Sequence, residues 1–181
     1  MPGKKKTPFP FTKEDAYSLA FAVAITILAL YLSTKIHTLS TLDYAGAFFI
    51  SLISSATVLI PVPGFAIVIA LARSLNPVLL GIAAGFGSGL GELSGYMLGY
   101  AGHDAVAKSK VFYSHSKQVE KYGAPAIFVL AFLPNPVFDV AGIAAGAMKM
   151  QWWKFLIATI AGKVLRFILL AYLSLWASGW L

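Results

Sequence analysis

The chain has 181 residues, 59% of them hydrophobic and 12% charged, with a formal net charge of +7 and a mean hydropathy of +0.78. A soluble domain carries about 25% charged residues, so the bilayer is the expected solvent and a single domain the expected organisation. Cysteine is absent and His37, His103 and His115 form no close ligand pair, which excludes a disulfide framework and argues against a zinc site.

Residues 1–15 read as a basic cytoplasmic tail carrying Lys4, Lys5, Lys6 and Lys13. Residues 16–36 read as a retained transmembrane span. Their apolar run exceeds the roughly 7–15 residues of a signal h-region, and no small-residue cleavage site follows. Residues 37–44 are a short polar loop. Residues 45–60 are apolar but fall short of the about 20 needed for a relaxed crossing. Pro61-Val62-Pro63-Gly64 then breaks the helix, because proline lacks the amide donor and clashes with the preceding turn. Asn76-Pro77 marks a stop and a restart.

Segment 45–75 reads either as one broken crossing or as a re-entrant hairpin. Charge favours the hairpin. With the N-terminus inside, a hairpin lets span 78–102 deliver Lys108, Lys110, Lys117 and Lys121 to the cytoplasm, as the positive-inside rule requires. Residues 103–124 suit an interfacial amphipathic helix, with Val106, Val111, Phe112, Val119 and Tyr122 toward lipid. Residues 125–148 repeat the hairpin around Pro134-Asn135-Pro136, and Lys149 and Lys154 hold its ends on the cytoplasmic side. Span 152–176 then exits, with Trp176 and Trp180 at the level of an aromatic belt.

The expected fold is therefore an all-α polytopic membrane protein. It contains an inverted repeat of re-entrant helical hairpin plus transmembrane helix, preceded by an additional N-terminal transmembrane helix. Glu92 and Arg166 stand 74 positions apart, and the pairs Pro61/Pro134 and Pro63/Pro136 stand 73 apart. Inverted repeats with broken helices place their site at the repeat interface.

Glu92 lies in a glycine-rich stretch near the centre of its span. An acid there costs several kcal/mol unless paired, protonated or hydrated. It reads as half of a structural ion pair with Arg166, or as a titrating group in a polar cavity. The two charges come within about 6 Å in depth at 1.5 Å rise per residue. Arg166 is also a suitable fork for a phosphate group. Lys163, one turn away, shares that role or snorkels. Asp139 reads as a helix N-cap or as a second acid of the same site. Asn135 satisfies broken-helix backbone groups or bonds a ligand. Arg73 reads as an interfacial anchor with a weak claim on anionic headgroups.

Pro61, Pro63, Gly64, Pro134 and Pro136 form the expected re-entrant tips. The four-residue spacings among Gly81, Gly85, Gly89, Gly91, Gly95 and Gly99 are first a helix-packing signal. Phe86 and Leu90 occupy the glycine positions of Gly-x-Ser-x-Gly around Ser88, so no nucleophile elbow is present. No His-Glu-x-x-His or Walker motif occurs. Neither an enzyme activity nor a cofactor or metal is expected. Nucleic acid is not an expected partner, since no basic stripe interleaves with aromatics.

The segment Gly91-Glu92-Leu93-Ser94-Gly95-Tyr96-Met97-Leu98-Gly99 resembles the Gly-Glu-x-x-Gly-Tyr-x-x-Gly stretch of the DedA, or VTT-domain, superfamily (SNARE-associated Golgi-type membrane proteins). Phe132-Leu133-Pro134-Asn135, with Ala141-Gly142 and Met148, resembles its second proline loop. Gly162 with Arg166 is similar to its last helix pattern.

The resemblance covers about residues 45–176. It implies paired re-entrant hairpins and movement of lipids between leaflets. It further implies polyprenyl-phosphate recycling and proton-motive-force dependence in bacterial relatives, and phospholipid scrambling in eukaryotic ones. By position, Glu92 and Asp139 would be the acidic site groups and Arg166 a basic one. Many bacterial relatives carry arginines where this chain has Ala131 and Val137, so either a phosphate contact falls here on Arg166, Lys163 or Arg73, or the substrate differs.

The expectation is a translocase of phosphate-headed lipids, with membrane lipids and protons as partners and a homo-oligomer left open. A prokaryotic-type plasma membrane with a cytoplasmic N-terminus is the expected setting. The alternatives are a proton-coupled transporter of a small solute or ion, and a non-transporting membrane scaffold.

Overall fold

The computed structural model describes residues 43–56, 64–102, 122–133 and 138–179, with isolated helical positions between 13 and 27. Most of the expected span 16–36, nearly all of the amphipathic helix 103–124, and the tip residues Pro61, Pro63, Pro134, Asn135 and Pro136 lie outside the described residues. Seven helices are described: α1 (Asp43–Ala56), α2 (Gly64–Leu71), α3 (Pro77–Gly91), α4 (Leu93–Ala101), α5 (Ala124–Phe132), α6 (Phe138–Ala147) and α7 (Trp152–Ala177). No strand occurs among the described residues.

Two stretches are long and apolar enough to cross a membrane. One is Pro77–Ala101, 25 residues long with a mean hydropathy of 1.3. The other is Trp152–Ala177, 26 residues long with a mean hydropathy of 1.9. The first starts cleanly because the Asn76 side chain accepts from the amides of Val78 and Leu79, with proline at the first helical position. It is not uniform. The helix loosens at Glu92, whose amide reaches the Ser88 carbonyl only at 3.3 Å, before α4 resumes the same course.

α3 is the axis of the bundle, packing on both α1 and α7. Cβ atoms at Gly81, Gly85 and Gly89 would collide with Ile168, Val164 and Ile160 in turn. One helix ascends as the other descends, so α3 and α7 are antiparallel. The missing side chains let them approach closely, as the four-residue glycine spacing predicts.

α1 runs the other way. Gly87 meets the Phe48 carbonyl and Gly91 meets the Leu52 carbonyl, so α1 and α3 are parallel. The Asn76 amide also donates to the Tyr44 hydroxyl at 2.9 Å. The segment between them therefore begins and ends at one place.

The second half packs comparably. α5 lies along α7, with Ala124 and Pro125 beside Trp153 and Lys154, and Phe128 and Ala131 against Gly162. This pair is also parallel. α6 lies antiparallel on α4, where Gly99 meets Ile143 and Gly146 meets Tyr96.

Two apolar clusters result. One joins Val68, Ala72, Leu80, Ala84, Phe167 and Ala171. The other joins Tyr96, Ile127, Ala131, Phe138, Ala145 and Phe155.

Candidate functional site

The buried charges lie between these clusters. Glu92, Lys163 and Arg166 are 4%, 3% and 8% exposed. Glu92 sits at the α3–α4 junction, while Lys163 and Arg166 project from α7 one turn apart. The Lys163 ammonium donates to Glu92 Oε1 at 2.5 Å, and its Nζ lies 4.9 Å from the centre of the Phe138 ring on α6. Paired burial of this kind offsets the several kcal/mol that each isolated charge would cost within a membrane.

This pairing corrects one expectation. The partner of Glu92 is Lys163, not Arg166. Direction around the helix decides the contact. Lys163 faces the α3–α4 junction, whereas Arg166 turns toward α2. Lys163 accordingly does not snorkel to the surface.

The Arg166 guanidinium carbon lies 4.8 Å from the centre of the Phe65 ring and 5.3 Å from that of Phe167. Its Nε is buried and has no hydrogen-bond partner among the described residues. Cation–π contacts of this kind contribute about 0.5–2 kcal/mol, but they leave the planar donor edge available to an acceptor.

Asp139 occupies the first turn of α6 and is exposed. It acts electrostatically on Glu92, Lys163 and Arg166. Arg73 is also exposed, in the turn that follows α2, away from the buried group. Gly64 opens α2. Ala131 is fully buried against Gly162, so this position belongs to helix packing.

Sequence reasoning missed the polar seam beside Glu92. The Ser55 and Ser88 hydroxyls are bonded at 2.6 Å. The Ser94 hydroxyl lies 3.0 Å from the Ala56 carbonyl and 2.9 Å from the Gly91 carbonyl, within donating distance of both. Serines recurring inside an otherwise apolar stretch were the available signal. Phe65 and Phe138, which face the two cations, carried none. Tyr96 both packs and bonds: it stacks on Phe155 at 5.0 Å and donates to the Met150 carbonyl. Among the described residues no cluster suited to a metal ion occurs.

Comparison with known proteins agrees with this helical membrane architecture. The chain is 40% identical over 52 residues to vacuole membrane protein KMS2 of Arabidopsis thaliana, which is 29% of this chain and 12% of that protein. It is 43% identical over 49 residues to vacuole membrane protein 1 of Homo sapiens, which is 27% of this chain and 12% of that protein. The similarity thus spans only a small part of these longer relatives.

An uncharacterised protein of Haemophilus influenzae is 25% identical over 135 residues, 71% of this chain and 70% of that protein. No solved structure matches significantly. The VTT domain model matches residues 62–175, which include the glycine ladder, all three buried charges, the first apolar span and all but the last two residues of the second. The chain is therefore an integral membrane protein and belongs to the VTT-domain family, the DedA/SNARE-associated group.

Proposed function

We propose that this protein translocates phosphate-headed lipids between leaflets, with Arg166 as the headgroup contact. The observation that carries the reading is the Arg166 guanidinium: buried, held by two aromatic faces, and with an Nε unpartnered among the described residues. Glu92 is bonded to Lys163, so Arg166 is left without a direct ion-pair partner among the described residues and feels Glu92 and Asp139 only at longer range. A phosphate oxygen supplies the acceptor that the planar guanidinium lacks. Exposed Asp139 is the second acid of the site in this reading. The reading needs no covalent step.

The scaffold alternative keeps one supporting observation, the 2.5 Å Glu92–Lys163 bond. On that reading these two residues are architectural and transport falls to Arg166 and Asp139.

Segments 45–75 and 125–148 act in this scheme as re-entrant hairpins of an inverted repeat. The Tyr44–Asn76 bond and the parallel pairs α1/α3 and α5/α7 support it. A full crossing by segment 45–75 would make α1 and α3 antiparallel. The chain has no cysteine of its own, which makes labelling direct. Asp43→Cys and Ser74→Cys are expected to react with an impermeant maleimide from the same side of sealed vesicles; labelling from opposite sides would rule the hairpin out. Lys149 and Lys154 flank the α6–α7 junction and favour placing that end, and the N-terminus, in the cytoplasm of a prokaryotic-type cell.

Transport is tested in liposomes carrying headgroup-labelled phospholipid or polyprenyl phosphate in one leaflet. The wild-type protein is expected to accelerate transfer of at least one of them. Arg166→Gln is expected to slow it by about tenfold or more, the effect of losing a charge-assisted hydrogen bond of roughly 1.5–3 kcal/mol. Absence of transfer of both lipids by the wild type, with and without a pH gradient, would overturn the proposal.

A further inference from the structure

We infer a second lipid-binding place, remote from the buried charges: an anionic phospholipid seats an acyl chain between α5 and α7 and its headgroup on Lys154. Gly162 lets α7 touch the Phe128 carbonyl and the Phe132 amide of α5. The two helices thus touch at Gly162. Beside their first turns lies a groove of about 440 Å³ lined by Ala124, Phe128, Trp153, Lys154, Ile157 and Ala158. That volume lies within the range of about 300–1,000 Å³ typical of small-ligand sites.

The groove has the two-part chemistry of a lipid. Ala158 is buried and forms part of the floor, while Ile157 and Trp153 are exposed walls. Lys154 supplies the only charge among the described lining residues, and its ammonium lies 5.3 Å from the centre of the Trp153 ring. An indole and an ammonium together belong at headgroup depth, where the ring is half wet and the lysine stem covers apolar surface. Exposed Lys149 adds positive charge just before α7. Neither α5 nor α7 contains an acidic residue, so the complementary headgroup is an anion rather than a zwitterion.

The inference rests on membrane embedding and not on translocation. In a chain with Trp152, Trp176 and Trp180 replaced by Phe, Trp153 becomes the single indole. Its fluorescence is then read in vesicles with brominated acyl chains, at equal mole fractions of phosphatidylglycerol or phosphatidylcholine. Phosphatidylglycerol is expected to associate about fivefold better, the contribution of one lysine at a membrane surface. Lys154→Arg is expected to keep the preference and Lys154→Gln to abolish it. Since Lys154 is exposed, neither change disturbs packing. Equal quenching by the two lipids, or a preference retained in Lys154→Gln, would overturn the site. No leaflet transfer enters this measurement, so its outcome and that of the liposome assay are independent.

Discussion

Replacing Lys163 with methionine is expected to destabilise the protein by about 3–5 kcal/mol, because it leaves the Glu92 carboxylate buried without its partner. Adding Glu92→Gln to the same chain is expected to restore most of that loss. The charge is then gone, and a neutral amide costs far less to bury. Arg166→Met behaves differently. Its guanidinium holds aromatic faces rather than the carboxylate, so Glu92→Gln should not rescue it. Unfolding in a fixed detergent, followed for the two double-mutant cycles, gives the coupling energies directly. Strong coupling of Glu92 to residue 166 and none to residue 163 would refute the pairing.

The second large effect is a contrast between two glycines on one helix. A Cβ at Gly146 would collide with the Tyr96 carbonyl, which is backbone and cannot swing aside. Gly146→Val is therefore expected to push α6 off α4 and to cost about 3 kcal/mol or more, the upper end of overpacking effects. At Gly142 the nearest neighbours of an added Cβ are Phe155 at 3.6 Å and Glu92 Oε2 at 3.9 Å, ordinary contacts. Gly142→Ala is expected to be neutral or to stabilise by up to about 1 kcal/mol through helix propensity. Thermal denaturation of both variants in one detergent checks this. Equal destabilisation at the two positions would mean that α6 does not sit on α4 in this register.

Helix limits were largely legible because proline, asparagine and charge punctuate an otherwise uniform apolar chain. Span 78–102 is found as Pro77–Ala101 and span 152–176 as Trp152–Ala177. Glycine spacing indicated close packing, and the ladder at Gly81, Gly85 and Gly89 supplies it. The ion pair was legible only as a need. A buried acid must have a cation, and depth bounded the choice to a few residues of α7. Each residue turns the helix by about 100°, so Lys163 and Arg166 present different directions at similar depth. Only the packed neighbours tell which one meets Glu92. The exposure of Asp139 and the aromatic seats of both cations depend on tertiary placement in the same way.

The loosened turn at Glu92 divides one span between two sets of neighbours. Its first half, α3, is fastened to α1 and α7, and its second half, α4, is fastened mainly to α6. The 2.5 Å bond to Lys163 crosses at the joint between the halves. Any tilt of α6 against the rest of the bundle must either carry α4 with it, flexing the span at this turn, or strip the two helices apart. The ion pair thus ties that joint to α7, the one place in the span where the backbone ladder is loosened.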